Sequence, residues 1–487
     1  MPAAHSLDAP LLTQFATDLD PGDVVAALRG GLIGEDAMLD GPFGRQPLVY
    51  ADYAASGRAL MQVERFILEK VLPYYANSHT EASFCGSYVT RLRREARAAI
   101  GRCCSAGDDH AVIFAGSGAT AGINRLVNLF GITQAVASGA GARVIIGPYE
   151  HHSNILAWRE SGAEIIEIAE GLSGGPDMSA LDAALALPTP AGPLVCSFSA
   201  ASNVTGIMAD VCNITRRAKA GGAKMIWDYA GGGAYMPISM NPEPGAEIDA
   251  IVVSTHKFIG GPGASGVLVV RRDAVVADRP TWPGGGTVRF VSPTAHDYSA
   301  KVETREEAGT PNVIGDIRAA LAFLVKEALG VDRIARRNSD NVDRAIAEWE
   351  NVENLELLGS LTAERLPIFS FRIRDGQGGY VHHQLVTRIL SDRFGIQARG
   401  GCACAGPYVH RLLGIGDDES DRIRDDILAG RELEKPGFCR LNFSALMSDA
   451  KVGYILDAVK QLAGGAAAFA PCYEGDPSNA IFMSKVA

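Results

Sequence analysis

A lone lysine stands between two apolar runs in IVVSTHKFIGGPGASGVLVV, residues 251–270. Ile251–Val253 and Gly266–Val270 read as short buried strands, so Lys257 lies where a strand gives way to a glycine-rich turn. There it is either a solvated turn residue or a buried amine. Burial lowers a lysine's pKa and makes it a usable base or Schiff-base nucleophile. Three other turns after strand-like segments offer different chemistry. In FAGSGATAGINRL, Gly116, Gly118 and Ala121 fit G-x-G-x-x-A, but the acidic residue that a dinucleotide site places about 20 residues on is missing. What remains is a helix N-terminus whose free N–H groups hold a phosphate, or a purely structural glycine turn. GPYEHHSNILAW has adjacent histidines, which seldom aim at one metal, and no H-x-x-x-H or C-x-x-C partner lies nearby. An imidazole stacked on an aromatic ligand suits the pair better, with surface or capping residues as the alternative. MIWDYAGGGAYMP sets Asp228 at a strand end, where its carboxylate either keeps a ring nitrogen cationic or closes an Asx turn.

The elements that must position these groups alternate. Candidate strands Ala111–Phe114, Arg143–Ile146, Leu194–Phe198, Lys224–Trp227, Ile251–Val253 and Gly266–Val270 are separated by helical patterns such as Ala119–Phe130 and Ile155–Ser161. That is the mark of an α/β fold with a mostly parallel sheet, whose ligands bind at strand ends. Asp316–Trp349 reads as one long helix leading to a smaller α+β region with strands near Ile368–Ile373 and Phe438–Phe443. The first 40 residues and GGAAAFAPCYEGDPSNAIF read as peripheral.

The 487 residues are 47% hydrophobic and 21% charged, enough for a large core. A net charge of −11 excludes an extended nucleic-acid surface, and no apolar run is long enough for a membrane helix. Nine scattered cysteines are not a disulfide framework, and no secretory signal is read at the start, so a cytoplasmic location is expected.

Taken in order, a phosphate turn, a ring-stacking histidine, a strand-end aspartate and Ser-x-His-Lys are what pyridoxal 5′-phosphate needs. At this point the chain resembles the class V aminotransferase family of fold type I. Within it, the chain is similar to the SufS-type cysteine desulfurases and the N-terminal domain of molybdenum-cofactor sulfurases. The motifs are ADYAASG (51–57), GSGAT (116–120), EHHSN (150–154), SNVTG (202–206), WDYAG (227–231), STHKFIGGPGASG (254–266), EEAGTPN (306–312) and RGGCACAGP (399–407), over roughly Tyr50 to Ala463.

The resemblance implies a pyridoxal-phosphate-dependent transferase fold of type I. Its large domain, expected at 44–315, holds the mostly parallel sheet and the cofactor, and a smaller α+β domain is expected at 316–465. An N-terminal segment, 1–43, is expected to pack on the small domain, and 466–487 to form a tail. Lys257 would be the Schiff-base lysine. Ala119, Thr120, Ser254 and His256 would hold the phosphate, His151 would stack on the ring and relay protons, and Asp228 would bind the ring nitrogen. Asn203 would lie beside the cofactor's O3′ and the substrate, while Gly286 and Thr287 would reach the phosphate of the partner in a homodimer. Arg399 would take the substrate α-carboxylate, with Arg440 as a second contact. No metal is implied.

Cys404, five positions after Arg399, would be the nucleophile that takes sulfur from L-cysteine or a relative (or selenium from its analogue), forming a persulfide and releasing alanine. A sulfur-acceptor protein would follow. Cys402 makes the loop Cys-x-Cys, as in the sulfurases. One departure stands out: Gly231 occupies the place of the glutamine that usually bonds the cofactor's phenolic oxygen. Tyr229 and the glycines after it leave room for a substrate larger than cysteine. The alternative is an aminotransferase or an isopenicillin N epimerase-like enzyme on the same scaffold, with no persulfide step.

Overall fold

The computed structural model of the protein describes residues 10–19, 22–77 and 81–486. At its centre is a seven-stranded sheet. Its strands are β1 (His110–Gly116), β2 (Arg143–Ile146), β3 (Glu164–Glu167), β4 (Leu194–Ser199), β5 (Lys224–Asp228), β6 (Ala250–Val253) and β7 (Gly266–Arg271). They lie in the order β1-β7-β6-β5-β4-β2-β3, and every pairing is parallel except the two made by β7. The period of two splits each strand between two cores. Ile251, Val253, Val267 and Val269 face one; Val252, Leu268 and Val270 face the other. Both faces are covered, which is why these strands read as continuous apolar runs.

Helix α1 (Phe84–Cys103) and helix α4 (Val313–Leu329) cover the first face, and α2 (Gly118–Leu129) covers the second. Helix α3 (Ser153–Glu160) follows β2. The helix expected over Asp316–Trp349 is in fact two, α4 and α5 (Val331–Trp349). Gly330 between them has φ +79°, a left-handed value that glycine adopts freely and that stops α4. Strand β3 escaped the sequence reading because Glu164 and Glu167 flank its two isoleucines at the edge of the sheet.

A second, antiparallel sheet is built from β8 (Leu355–Leu357), β9 (Ile368–Ile373), β10 (Arg399–Gly401) and β11 (Phe438–Asn442), in the order β8-β9-β11-β10. It packs through Phe369, Phe371 and Phe443 on Trp349, with α6 (His383–Phe394) and α8 (Asp449–Phe469) completing the core. Between β10 and β11 runs α7 (Gly406–Leu413).

The N-terminal segment, expected on the smaller region, is divided. Helix Leu11–Asp18 lies on α1 and α4, burying Leu12 and Phe15 in the core of the large sheet, while Phe43 packs on Phe469 and Tyr473 of the smaller core. The C-terminal stretch read as peripheral closes into a hairpin, Tyr473–Asp476 with Ile481–Ser484. Tyr473 is buried there and donates to Asp392 at 3.1 Å. Residues 49–57 form a strap between the two sheets. Val49–Tyr50 pair with Ile396–Gln397, Asn442 N–H donates to Ala51 O at 2.8 Å, and Gly57 N–H donates to His256 O at 2.9 Å.

Candidate active site

The site is assembled at the C-terminal ends of β2, β5 and β6 and at the N-terminus of α2, with the second sheet facing them. Lys257 ends a single 3-10 turn, Thr255–Lys257, directly after β6. The turn is held by Lys257 N–H on Ser254 O at 3.0 Å, by Phe258 N–H on Thr255 O at 3.0 Å, and by the Thr255 hydroxyl on Ser265 O. Burial pushes the Lys257 amine down to about 8; Arg440 and Arg399 push the same way, and Asp228 and Asp52 oppose them. The described residues hold a second lysine of this kind. Lys326 is also lowered to about 8 by burial, but it is spent on Met236 O at 2.6 Å and on the Phe258 ring.

Ser254 and the start of α2 form one cradle. Ala119 N–H donates to Ser254 Oγ at 3.0 Å, and Thr120 Oγ1 meets Ser153 Oγ at 2.7 Å. A Cβ on Gly118, which has φ +63°, would come within 3.0 Å of Ser254 Oγ and 3.2 Å of His256. Gly118 is therefore glycine for both conformation and space, and the space it leaves is lined by N–H and hydroxyl groups. Gly266 abuts the same turn: its Cβ would lie 2.5 Å from Gly118 Cα.

His151 Nδ1 accepts from Ser153 N–H at 3.1 Å and meets Ser153 Oγ at 3.0 Å, so the neutral ring carries its proton on Nε2. Burial and then the Lys257 charge lower His151 to about 4, and the same two causes lower His256 to about 4. Both rings are neutral at physiological pH. Asp228 is 3% exposed. Burial raises its pKa, while the Ala230 N–H at 2.7 Å and the Lys257 charge oppose the rise. A buried carboxylate so placed is stabilised by a cation. Asn203 donates to Ala403 O at 2.7 Å, and its Oδ1 is buried with no partner among the described residues. An N–H and hydroxyl cradle, a buried carboxylate, a neutral imidazole, an orphaned acceptor and a low-pKa amine together fit pyridoxal 5′-phosphate.

Arg440 and Arg399 enter from neighbouring strands β11 and β10. Both are bound to Asp52 of the strap, Arg440 Nη2 at 2.9 Å and Arg399 Nε at 3.0 Å. Cys404 is exposed on the loop between β10 and α7. It and Ala403 have φ +55° and +50°, left-handed values that cost side-chain-bearing residues on the order of 1 kcal/mol each. His152 pins this loop: its N–H donates to Cys404 O at 2.8 Å, and its Nε2 accepts from Gly406 N–H at 3.0 Å.

Of the residues singled out in the sequence, Gly286 and Thr287 stand apart: Gly286 lines a cleft with Arg93, Arg97 and Arg272, and Thr287 is buried behind it, its hydroxyl donating to Gly284 O at 2.6 Å. The room inferred around Tyr229 does not open beside Lys257: the cavity that Tyr229 borders is lined by Ile207, Met208, Met236 and Leu366. Tyr229 is buried in the core, and Cβ atoms on Gly231 and Gly233 would meet Ala201 O at 3.0 Å and Tyr229 O at 2.7 Å. These glycines serve a tight turn, closed by Gly233 N–H on Tyr229 O at 2.7 Å. Sequence reasoning missed Asp52, His152 and Glu150. Glu150 is buried, accepts from Ser199 N–H and Oγ (both 2.8 Å) and from Asn154, and is raised by burial to about 8. All three stood inside quoted motifs, but apart from Asn154 beside Glu150 their partners lie 49 to 388 residues away, so spacing carried no signal.

A family model for aminotransferase class-V matches residues 49–452. A protein named cysteine desulfurase from Enterobacter sp. (strain 638) is 31% identical over 368 residues, 74% of this chain and 86% of its own length. Another from Dickeya dadantii (strain 3937) is 30% identical over 376 residues, covering 75% and 85%. Among solved structures, the apo cysteine desulfurase from Thermococcus onnurineus NA1 superposes with a TM-score of 0.70 at 23% identity, over 86% of this chain and 95% of that one. The cysteine desulfurase CsdA from Escherichia coli gives 0.69 at 21%, over 90% and 98%. At those identities the two structures speak for the fold alone.

Proposed function

The chain belongs to the class-V aminotransferase family, and we propose that within it the protein is a pyridoxal-phosphate-dependent cysteine desulfurase. It takes sulfur from L-cysteine onto Cys404 and releases alanine. One observation carries this reading: an exposed cysteine on a strained loop is tethered, through Asn203 and His152, to the residues that fit the cofactor.

Ala119, Thr120, Ser254 and His256 would hold the cofactor's phosphate, His151 its ring and Asp228 its ring nitrogen. The chemistry the bound cofactor would supply is an electron sink for the amino acid, which would allow the Cβ–S bond to break. Lys257, lowered to about 8, supplies a neutral amine for attachment and then a base at the substrate Cα. His151 Nε2–H faces the same proton traffic. Arg399 and Arg440 orient the substrate carboxylate. The Cys404 thiolate attacks the substrate sulfur and keeps it as a persulfide, the electron pair of the broken C–S bond passes to carbon, and protonation gives alanine. A sulfur-acceptor protein then regenerates the thiol.

We further read the molecule as a cytoplasmic homodimer. Trp282, Phe290 and Val291 stand exposed on either side of Gly286 and Thr287. Such a patch supports a subunit contact that brings this turn to the partner's phosphate. We also read residues 44–315 as a large domain and 316–465 as a small one; the strands of the two sheets fall on either side of that boundary, while α4 spans it and packs on the large sheet.

The test is Cys404→Ser. Sulfide release from L-cysteine should fall by about 10²-fold or more, while cofactor content and the absorbance change on adding L-cysteine are retained. Undiminished turnover would hand the site to the aminotransferase or epimerase reading.

A further inference from the structure

The loop after β10 carries two thiols, and sulfur transfer as described above uses one of them. Of the nine cysteines, Cys404 alone is exposed. Cys402 is half-buried and rests on the cluster that contains Tyr149, Tyr408 and Phe438. Cys439, paired with Gly400 across β10 and β11, is closed off: it is buried, burial raises its thiol to about 12, and Thr387 Oγ1 donates to its sulfur at 3.6 Å. That leaves Cys402, two residues away and partly open, as the partner for the exposed thiol.

The backbone between the two is folded, not extended. Ala405 N–H donates to Cys402 O at 3.2 Å, closing a four-residue turn. Its central residues, Ala403 and Cys404, both have left-handed φ, +50° and +55°, as in a type I′ turn. Side-chain-bearing residues keep such a backbone only where the surroundings hold it. Here Asn203 Nδ2 donates to Ala403 O at 2.7 Å and His152 N–H donates to Cys404 O at 2.8 Å. The conformation sets the span. A helical bend of either hand at Ala403 puts the Cα atoms of Cys402 and Cys404 about 5.4 Å apart, against about 6.6 Å for an extended residue. Disulfides bridge Cα atoms about 4.4 to 6.8 Å apart, most often near 5.5 to 6 Å. The tethered turn thus holds the pair near the middle of the bridging range while one thiol faces solvent.

We propose that Cys402 and Cys404 form a redox pair in which oxidation of Cys404 by a hydroperoxide is captured by Cys402 as a disulfide. In the first step the Cys404 thiolate attacks the peroxide. An S–O bond forms, the O–O bond breaks, and the departing oxygen takes a proton as water or alcohol. The sulfur is oxidised by two electrons to a sulfenic acid. In the second step the Cys402 thiol attacks that sulfur. The S–S bond forms, the S–O bond breaks, and the hydroxide leaves as water with the Cys402 proton. An external dithiol restores both thiols. Without Cys402 the sulfenic acid goes on to sulfinic and sulfonic acids, which dithiols do not reverse. The bridged form has no free nucleophile, so sulfur transfer pauses until reductant returns. Only this effect on activity rests on the reading of Cys404 as the sulfur-accepting residue.

The experiment treats the holoenzyme, without L-cysteine, with a small excess of hydrogen peroxide, then alkylates it and maps the cysteines by mass spectrometry. The wild-type peptide that spans both thiols should be unalkylated and lighter by two hydrogens. Dithiothreitol should restore both alkylation sites and sulfide release. In Cys402→Ser, Cys404 should be found as sulfinate or sulfonate, and the activity recovered with dithiothreitol should be at least about fivefold lower than in wild type. Two wild-type results overturn the proposal whatever the variant does. One is Cys404 over-oxidised while Cys402 is still alkylated, and the other is a disulfide from Cys404 to any other cysteine. Equal recovery in wild type and Cys402→Ser overturns it as well. Undiminished turnover in Cys404→Ser sinks the desulfurase reading instead, and the mass map still decides the pair.

Discussion

The turn that carries Lys257 is bound on every side, whereas the loop that carries Cys404 hangs from a few polar contacts. Around Lys257 the strands are fully buried, and backbone meets backbone. A Cβ on Gly57 would lie 1.8 Å from Phe258 O, and one on Gly261 would lie 2.0 Å from Thr255 O. Around Cys404 the thiol is exposed, the backbone is left-handed at two successive side-chain-bearing residues, and His152 and Asn203 supply the tethers. The difference matches two tasks. A cofactor lysine gains from burial, which keeps its amine neutral. A thiol that collects sulfur and hands it on must reach in and come out, and a strained, lightly held loop has less to lose by moving.

If that contrast is right, the largest effect belongs to the buried side. Lys257→Ala should abolish covalent cofactor attachment and lower sulfide release by about 10³-fold or more. Peptide mapping after borohydride reduction checks it. A label on Lys326, the other lysine whose pKa is lowered to about 8, would overturn the assignment.

Next in size is the strap. Gly57→Ala forces the Phe258 carbonyl group to move, because the new methyl would lie 1.8 Å from its oxygen and 2.6 Å from its carbon. Overpacking of this kind costs about 3 kcal/mol. Thermal unfolding should show the loss, and cofactor occupancy should fall with it. The same substitution at Gly401 meets no atom within 4 Å, although its φ of +130° still strains it, and it should leave cofactor occupancy near wild type.

A third effect is in pH. The nucleophile is the neutral amine, whose population rises as pH passes upward through the pKa. With Lys257 lowered to about 8, the rate at which apoprotein takes up cofactor covalently should rise roughly tenfold from pH 7 to 9 and level off above that. A lysine at its ordinary 10.5 would still be gaining steeply at pH 10. Stopped-flow absorbance separates the two courses. His151 and His256, both lowered to about 4, add no step in that range.

The same contrast governs what could be read from the sequence. Lys257, Asp228, His151 and the turn at Gly118 sit directly after strands. Each is set by local backbone demands that leave a pattern of apolar run, polar residue and glycine. The six strands foreseen lie where the alternation put them. Edge strand β3 and the break at Gly330 were missed, because charged flanks mask the first and a single glycine within a helical pattern reads as tolerated. The Asp52 bridge was not legible. It joins the strap to residues 347 and 388 positions away, and only the folded sheet brings them together. His152 looked like half of a pair with His151, yet its role is to hold a loop 254 residues distant. The glycines after Tyr229 misled in the opposite sense, since a compact turn and an open pocket leave the same residues in the sequence.

The smallest effect, and the one that most sharpens the contrast, is expected at Cys402. It lies two residues from Cys404, but it is half-buried, and it packs beside Ala403 on a cluster containing Tyr149, Val204, Tyr408 and Phe438. Its carbonyl accepts from Ala405 N–H at 3.2 Å, which closes the turn beneath the exposed thiol. Cys402 thus belongs with the anchored part of the molecule although it shares a loop with the mobile part. Serine keeps its volume and loses only a partly buried sulfur, a cost of about 1 kcal/mol or less. Sulfide release in Cys402→Ser should stay within about twofold of wild type, against the hundredfold loss expected in Cys404→Ser. Persulfide trapped by alkylation and mapped by mass spectrometry should be found on Cys404 in both wild type and Cys402→Ser. If Cys402→Ser instead loses as much as Cys404→Ser, with persulfide mapped to both positions in the wild type, sulfur passes through two thiols. The division between a fixed floor and a single moving nucleophile would then have to be redrawn, with the whole segment from Cys402 to Cys404 as the moving part.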